Sequence, residues 1–470
     1  MFSYDAGMTD LVFDYCRERL RFDPVSLDFP GDKATLDRVL EGLLRPEGND
    51  PAAVLTLFED HLATAVISCD SPRFLSFVPA APTKASLLFD MVVSCSSLQG
   101  TSWLEAAGAV AAENQVIRLI ADRAGLPPSA GGCFVSGGSA GNLSSLVVAR
   151  DTAARRGFAG GGRVRVAVSD QAHSSIRNAL SVIGAGALIV PTPDDRLTGA
   201  ALADALAADA AAGGGATAEG GTAVGSGGGV SAGGEGEVVA VVATAGTTNA
   251  GIIDDLAGVA EVAAANRLWF HVDGAYGGAG LFSTSARARY RGIEAADSFV
   301  VDPHKWLYAP FDCATLIYRE PWLAKAVHTQ DASYLDVIHN EVSEWNPSDY
   351  AYHLTRRARG LALWFSLAVY GTDAYAAAVD ASLDLARRVA DRIDGTDHLE
   401  LLRRPDLSVV LFRRPGWTEA DYYAWSSQLL ADQIGFAVPT KWDGETVARF
   451  CFLHPDTTME MVAEMLAPMA

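Results

Sequence analysis

Two short runs carry residue types able to do chemistry together. They are Asp302-Pro303-His304-Lys305-Trp306 and, upstream, His271-Val272-Asp273-Gly274-Ala275-Tyr276. Lys305 offers an amine for a Schiff base. Asp273 offers an anion able to keep a pyridine nitrogen protonated, and the two are the handles that pyridoxal phosphate (PLP) requires. Singly, each has an ordinary explanation: a lysine after a strand is commonly a solvated surface residue, and an aspartate in Val-Asp-Gly a turn former. Position favours the pair. Each closes an apolar run that reads as a strand, Leu268-Trp269-Phe270-His271-Val272 and Ser298-Phe299-Val300-Val301, and strand tips are where open α/β sheets keep ligands.

Further candidates sit at other strand ends. Cys133-Phe134-Val135-Ser136-Gly137-Gly138-Ser139-Ala140-Gly141-Asn142 reads as strand, glycine turn and helix start. Backbone N–H groups at such a start, approached closely past glycine, form an anion cradle. The spacing is neither Rossmann nor Walker, so it points to a phosphate of some kind. His173 follows the strand Val164 to Ser169; it is either structural or stacks on an aromatic cofactor. Ser71-Pro72-Arg73-Phe74-Leu75-Ser76-Phe77-Val78-Pro79 reads equally as a core-covering loop or a pocket wall. Periodicity is lost over residues 326–350, around Tyr334, as in a mobile loop.

The elements that must hold these residues alternate strand and helix through the middle third. Val238 to Ala243 is continuously apolar, the pattern of a parallel strand covered on both faces. A long helical pattern from Thr101 to Leu126 stops at Gly125 and Pro127-Pro128. Helical spacing at residues 8–20 and 33–45 predicts amphipathic helices that bury one face on their own domain or on a partner subunit. Residues 207–237 contain a Gly/Ala-rich tract expected to form a disordered insertion. The tail after residue 346, with helices over 359–370 and 374–392 and strands near 407–412 and 446–453, reads as a smaller α+β unit.

Composition narrows the functional classes. A formal charge of -21 over 470 residues disfavours nucleic acid and anionic membranes as partners. Six scattered cysteines without Cys-x-x-Cys spacing suggest neither zinc nor a disulfide framework, so a reducing cytoplasm and no metal are expected. The N-terminus lacks the basic start and apolar core of a signal peptide.

Taken together, the Asp-Pro-His-Lys-Trp and His-Val-Asp-Gly-Ala-Tyr runs resemble the group II PLP-dependent amino-acid decarboxylases, the family of aromatic amino-acid and glutamate decarboxylases. The likeness extends from about residue 70 to the end of the chain. It implies an α/β, fold type I enzyme whose large domain has a mostly parallel seven-stranded sheet flanked by helices. The segments it implies are 1–80, helical and packed on a partner; 81–345, binding PLP; and 346–470, a smaller C-terminal α+β domain. By resemblance, Lys305 carries the Schiff base, Asp273 pairs with the pyridine nitrogen, Ala275 packs under the ring and His173 stacks above it. Ser139 and Ala140 match the phosphate cradle, His304 lies beside the lysine, and Thr248 and Asp254 support the lysine side. Tyr334 matches a catalytic loop tyrosine that protonates Cα, usually closing over the partner's site.

Phe77, Pro79, Gln99, Thr101 and Arg449 match substrate-pocket positions. Gln99 and Thr101 stand where aromatic decarboxylases use apolar groups, Ala80 where threonine is usual, and Ser71 where histidine precedes Pro-Arg-Phe. Phe77, Val78, Pro79 and Trp103 still form an apolar wall. The resemblance therefore implies a homodimer with shared sites that decarboxylates an L-amino acid, aromatic first, through a quinonoid intermediate. An acidic or polar amino acid comes second. The same scaffold also suits an oxidative aldehyde synthase or a structural PLP-fold subunit; intact Tyr334 and His173 count against the former, intact Lys305 and Asp273 against the latter.

Overall fold

The computed structural model describes residues 2–23, 25–78, 81–156, 164–212, 236–330 and 345–470. Pro79, Ala80 and Tyr334 lie outside the described residues. Of the 207–237 tract, residues 207–211 belong to a helix and Glu237 opens a strand, while 213–235 fall outside the description.

Three short helices open the chain: α1 (Ala6–Leu20), α2 (Lys33–Leu40) and α3 (Pro51–Leu57). Asp5, Asp32 and Asp50 cap them, each carboxylate accepting from first-turn N–H groups. The second helix ends earlier than its apolar spacing predicts, because Glu41 turns extended and Gly42 takes a φ of +69°. None of the three buries a residue, and Val12, Phe13, Val54 and Phe58 remain exposed.

Next come α4 (Lys84–Cys95) and α5 (Trp103–Arg123), then the alternating region. It runs β1 (Gly131–Val135), α6 (Gly138–Arg155), β2 (Val164–Ser169), α7 (Ser174–Ile183), β3 (Gly186–Val190), α8 (Gly199–Ala211), β4 (Glu237–Thr244), α9 (Leu256–Ala265), β5 (Trp269–Asp273), β6 (Ser298–Val301), α10 (Pro303–Trp306), β7 (Ala314–Tyr318) and α11 (Pro321–His328). The seven strands form one sheet in the order β1-β7-β6-β5-β4-β2-β3, in which only β7 runs against the rest. The C-terminal ends of the six co-directional strands therefore share one edge, and the chemistry-bearing residues were expected at those ends.

Both faces of the sheet are covered. Val241, Phe270, Val272 and Phe299 pack with Leu202, Val259 and Ile117 on one side; Val166, Val168, Val242 and Trp269 pack with Leu146 and Ile176 on the other. Strand alternation thus sends Phe270 and Val272 towards α8 and α9, and Trp269, His271 and Asp273 towards α6 and α7.

The C-terminal part contains α12 (Leu361–Asp394), β8 (Glu400–Leu401), β9 (Val409–Arg413), α13 (Glu419–Ala431), β10 (Thr440–Trp442), β11 (Glu445–Cys451) and α14 (Met459–Leu466). Its four strands form an antiparallel sheet, β10-β11-β9-β8. The two helices expected over 359–370 and 374–392 are one element broken at Gly371, whose φ of +76° departs from the helix. Leu363, Leu367 and Val379 of α12 enter the large-sheet core, and Ala386, Val389 and Ile393 enter the small one.

The segment before Phe77 is neither a free loop nor part of the large sheet. Leu75 N donates to Phe436 O and Cys451 N donates to Leu75 O, both at 2.9 Å, and Leu75 is buried in the small-sheet core. Among the described residues no helix is long and apolar enough to cross a membrane, and no cluster of ligating side chains could hold a metal ion.

Candidate active site

The strand tips converge as the fold requires. Lys305 lies on α10, the single helical turn after β6, and its Nζ is 2.9 Å from Asp302 Oδ2 one turn earlier. Tyr276, stacked on Trp306 at 5.4 Å and hydrogen-bonded to Ser408, wedges that turn in place. His304 accepts from Cys313 N at Nδ1 (3.1 Å), which leaves its proton on Nε2, 3.6 Å from Asp302 Oδ2. Burial, opposed by Asp302, holds His304 below the ordinary histidine pKa, so this imidazole is neutral.

Asp273 ends β5 and is buried. Its Oδ1 accepts from Ala275 N at 3.0 Å and its Oδ2 from Asn142 Nδ2 at 2.9 Å. His173 caps α7: Ser175 N donates to its Nδ1 at 3.2 Å, and the ring itself is exposed at the β2 exit. Ser139 and Ala140 form the first turn of α6, which no side chain caps.

These features fit a flat, phosphorylated aromatic aldehyde. Gly138 N and Ser139 N have no acceptor among the described residues, as a phosphate cradle demands. A Cβ at Gly138 would lie 2.9 Å from Ala275 Cβ and 3.1 Å from Asp302 Oδ2, so only glycine keeps that cradle open. An amine, an anion and a cradle on one sheet edge match the reactive aldehyde, the ring nitrogen and the phosphate of PLP respectively.

The pocket residues divide into two groups. Arg449, on β11, donates from Nε to Asn249 O (3.0 Å), from Nη1 to Phe77 O (2.7 Å) and from Nη2 to Thr248 O (2.6 Å). It clamps the 77 segment to the β4 exit, and two of its five N–H groups are left over. Thr248 is exposed there, while Asp254 accepts from Thr244 N and Leu197 N and so ties the end of β4 internally. Phe77 adopts φ +51° and presents a largely exposed ring.

The second group lies apart from the lysine. Gln99 Nε2 donates to Thr101 Oγ1 (3.1 Å) and to Glu105 Oε1 (3.0 Å), and Thr101 O accepts from Ser348 N. Their bonds run to α5 and the 346–357 region rather than to the lysine edge.

Asp302, Asn142, Ser175 and His271 join the site although their roles were not assigned from sequence. Asp302 is one helical turn from Lys305 and His271 two residues before Asp273 on the same strand face, spacings that could have flagged both. Nothing local marks Asn142 or Ser175.

Asp302 has a measurable consequence. Burial alone would lower the Lys305 pKa, but the Asp302 carboxylate, its hydrogen bond and the Asp273 charge outweigh it and leave the amine more basic than an ordinary lysine. Since the neutral amine attacks a carbonyl, its fraction climbs nearly tenfold per unit between about pH 6 and pH 9. Capture of PLP by cofactor-free protein, followed by absorbance after mixing, is expected to accelerate with rising pH. Asp302→Asn is expected to speed capture at neutral pH. A rate independent of pH in the unmodified protein would dismiss the ion pair as the controlling contact.

The family model described as "Pyridoxal-dependent decarboxylase conserved domain" matches residues 38–226 and 231–414. An aromatic-L-amino-acid decarboxylase of Bacillus atrophaeus is 29% identical, with 97% of this chain and 92% of that protein aligned. An L-2,4-diaminobutyrate decarboxylase of Rhizobium meliloti (strain 1021) is 31% identical over 81% of this chain and 74% of its own. A crystal structure of Oryza sativa TDC with PLP and tryptamine superimposes with a TM-score of 0.86 at 23% identity, over the whole of both chains.

Proposed function

The chain belongs to the pyridoxal-dependent decarboxylase family and is a PLP-dependent carboxy-lyase; from that premise we propose that it decarboxylates an aromatic L-amino acid to the amine and carbon dioxide. Bound PLP supplies the electron sink for the pair left behind when the carboxylate departs. Lys305 Nζ would hold the cofactor's aldehyde carbon. Asp273 keeps a proton on the pyridine nitrogen as a fixed anion, which needs no reorganisation as charge develops. Gly138 and Ser139 N–H groups would hold the cofactor's phosphate, and Ala275 and His173 would flank its ring. Tyr334, outside the described residues, is assigned the proton delivery to Cα.

The observation that favours an aromatic side chain is Phe77. Its left-handed backbone, sparsely populated for a bulky residue, is held by Arg449 through its carbonyl, and Phe74 and Phe436 back the ring at 6.3 and 6.2 Å. Arg449 acts in this reading as the clamp that presents Phe77. A polar amino acid is the second reading, favoured by the Gln99–Thr101–Glu105 cluster and by the diaminobutyrate decarboxylase relative.

The test is a panel of L-amino acids with PLP, measuring carbon dioxide, amine and hydrogen peroxide. Amine from tryptophan, tyrosine or phenylalanine without peroxide supports the proposal. Amine only from diaminobutyrate or an acidic amino acid supports the second reading, and aldehyde with peroxide supports an oxidative aldehyde synthase. Absence of product and of bound-cofactor absorbance would leave a structural subunit.

We also propose a homodimer in which the exposed Gln99 faces the partner's site. The support is the arm of α1 to α3, whose three helices bury no residue in their own chain while Val12, Phe13 and Phe58 stand exposed. Light scattering is expected to give twice the chain mass, and deletion of residues 2–62 to give monomer with lost turnover. A full-length monomer that turns over would refute this assembly. The buried thiols Cys133, Cys313 and Cys451 fit the reducing, cytoplasmic setting proposed for it.

A further inference from the structure

Behind Asp273 the sheet face carries a buried polar chain that the reaction as described leaves unused. Trp269 Nε1 donates to Ser298 Oγ at 2.7 Å. Ser298 Oγ lies 2.8 Å from His271 Nδ1, with Ser145 Oγ at 3.1 Å from the same atom. His271 Nε2 is 2.9 Å from Asn142 Oδ1. Asn142 Nδ2 reaches both Asp273 Oδ2 (2.9 Å) and Ser175 Oγ (3.1 Å), and Ser175 Oγ lies 2.9 Å from His173 Nδ1. Trp269, His271, Asn142, Ser145, Ser298 and Asp273 are all buried.

Donor and acceptor accounting fixes the direction of the bonds from His271 through Asn142 to Asp273. The indole N–H only donates and the carboxylate only accepts, so the two ends have set polarity. Asp273 requires the amide nitrogen of Asn142, which turns Asn142 Oδ1 towards His271 and makes His271 Nε2 the donor. Nδ1 must then accept from a serine hydroxyl. The second N–H of Asn142 points at Ser175 Oγ, and the Ser175 hydroxyl in turn lies against His173 Nδ1. His173 already accepts Ser175 N there, and its own proton is therefore placed on Nε2.

We propose that His271 is a positioning residue which, as a neutral imidazole protonated on Nε2, locks the Asn142 amide and thereby sets the Asp273 carboxylate and the donor that reaches Ser175 Oγ beside His173. The opposite tautomer would put a lone pair against Asn142 Oδ1. Relief by flipping the amide would face an oxygen to Asp273 and withdraw the donor from Ser175, disturbing both faces of the cofactor site at once. Burial lowers the His271 pKa to about 4 against the pull of Asp273, so a second proton does not override the lock at neutral pH. The inference rests on the assignment of Asp273 to the pyridine nitrogen and of His173 to the opposite ring face.

The test is nitrogen-15 NMR of the holoenzyme. With 15N-labelled PLP, the unmodified protein is expected to show a protonated pyridine nitrogen at neutral pH. With 15N-histidine, His271 is expected to be neutral with the proton on Nε2. His271→Leu is expected to shift the pyridine signal towards the unprotonated form and weaken PLP roughly tenfold or more, the scale of one hydrogen bond to a charged group. His271→Gln, which can donate to Asn142 and accept from Ser298, is expected to restore most of the pyridine signal and of the affinity.

An unprotonated pyridine nitrogen in unmodified protein would overturn the assignment of Asp273 itself. A protonated nitrogen together with a proton on His271 Nδ1 would overturn the lock alone, whatever the variants do. A His271→Leu protein that loses only thermal stability, with the pyridine signal and PLP affinity unchanged, would also overturn it.

Discussion

Lys305→Ala protein is expected to take up PLP reversibly and to release all of it on dialysis after borohydride treatment, whereas the unmodified protein stays permanently labelled. Turnover should fall by roughly 10⁴-fold or more, the scale on which losing a covalent group acts. The substitution also strips the ammonium from Oδ2 of Asp302, which is 2% exposed and whose Oδ1 has no hydrogen-bond partner among the described residues. An unpaired buried carboxylate is destabilising by about 3–5 kcal/mol, so poor folding could imitate lost chemistry. Lys305→Arg separates the two effects: it keeps a cation beside Asp302 but has no amine to condense with an aldehyde. Both variants should lose covalent PLP, and the arginine variant should retain more of the cofactor-free melting temperature. Undiminished product formation by either would remove Lys305 from the mechanism.

Asp273→Asn should produce a different failure. The amide occupies the same volume and Asn142 can still donate to it, but Ala275 N loses a charged acceptor and the site loses its anion. Borohydride should still fix PLP to Lys305, because the amine is untouched. Turnover should fall by roughly 10²- to 10³-fold, about 3–4 kcal/mol of transition-state stabilisation, as when a preorganised electrostatic group is removed. Product formation measured under saturating substrate is the relevant readout, since a change confined to KM would mean that Asp273 helps binding and not the chemical step. A variant with unchanged kcat would end its assignment to the pyridine nitrogen. The contrast is diagnostic: Lys305 variants lose the covalent bond and the rate together, and Asp273→Asn loses rate while keeping the bond.

Much of this site was legible because its primary residues lie at local boundaries. Lys305, Asp273, His173 and the Gly137-Gly138 turn each follow an apolar run closely, and apolar runs reveal parallel strands through continuous burial. Helix ends were less certain. The stop after Leu40 depends on the backbone of Glu41 and Gly42, and the single broken helix across Gly371 depends on how α12 bridges two cores. Arg449 was expected in the substrate pocket, but where its guanidinium reaches depends on three carbonyls from distant segments.

The sequence by itself determined which groups could react and that a mostly parallel sheet would carry them, since residue type and hydrophobic period are properties of a few neighbouring positions. Only the tertiary structure decided that Leu75 belongs to the small-sheet core, that Gln99 and Thr101 bond away from the lysine, and that Asn142 joins His271, Asp273 and Ser175. Those outcomes turn on hydrogen bonds between residues far apart in the chain. A donor is matched to an acceptor by distance and direction once both are buried, and no spacing along the sequence encodes that match.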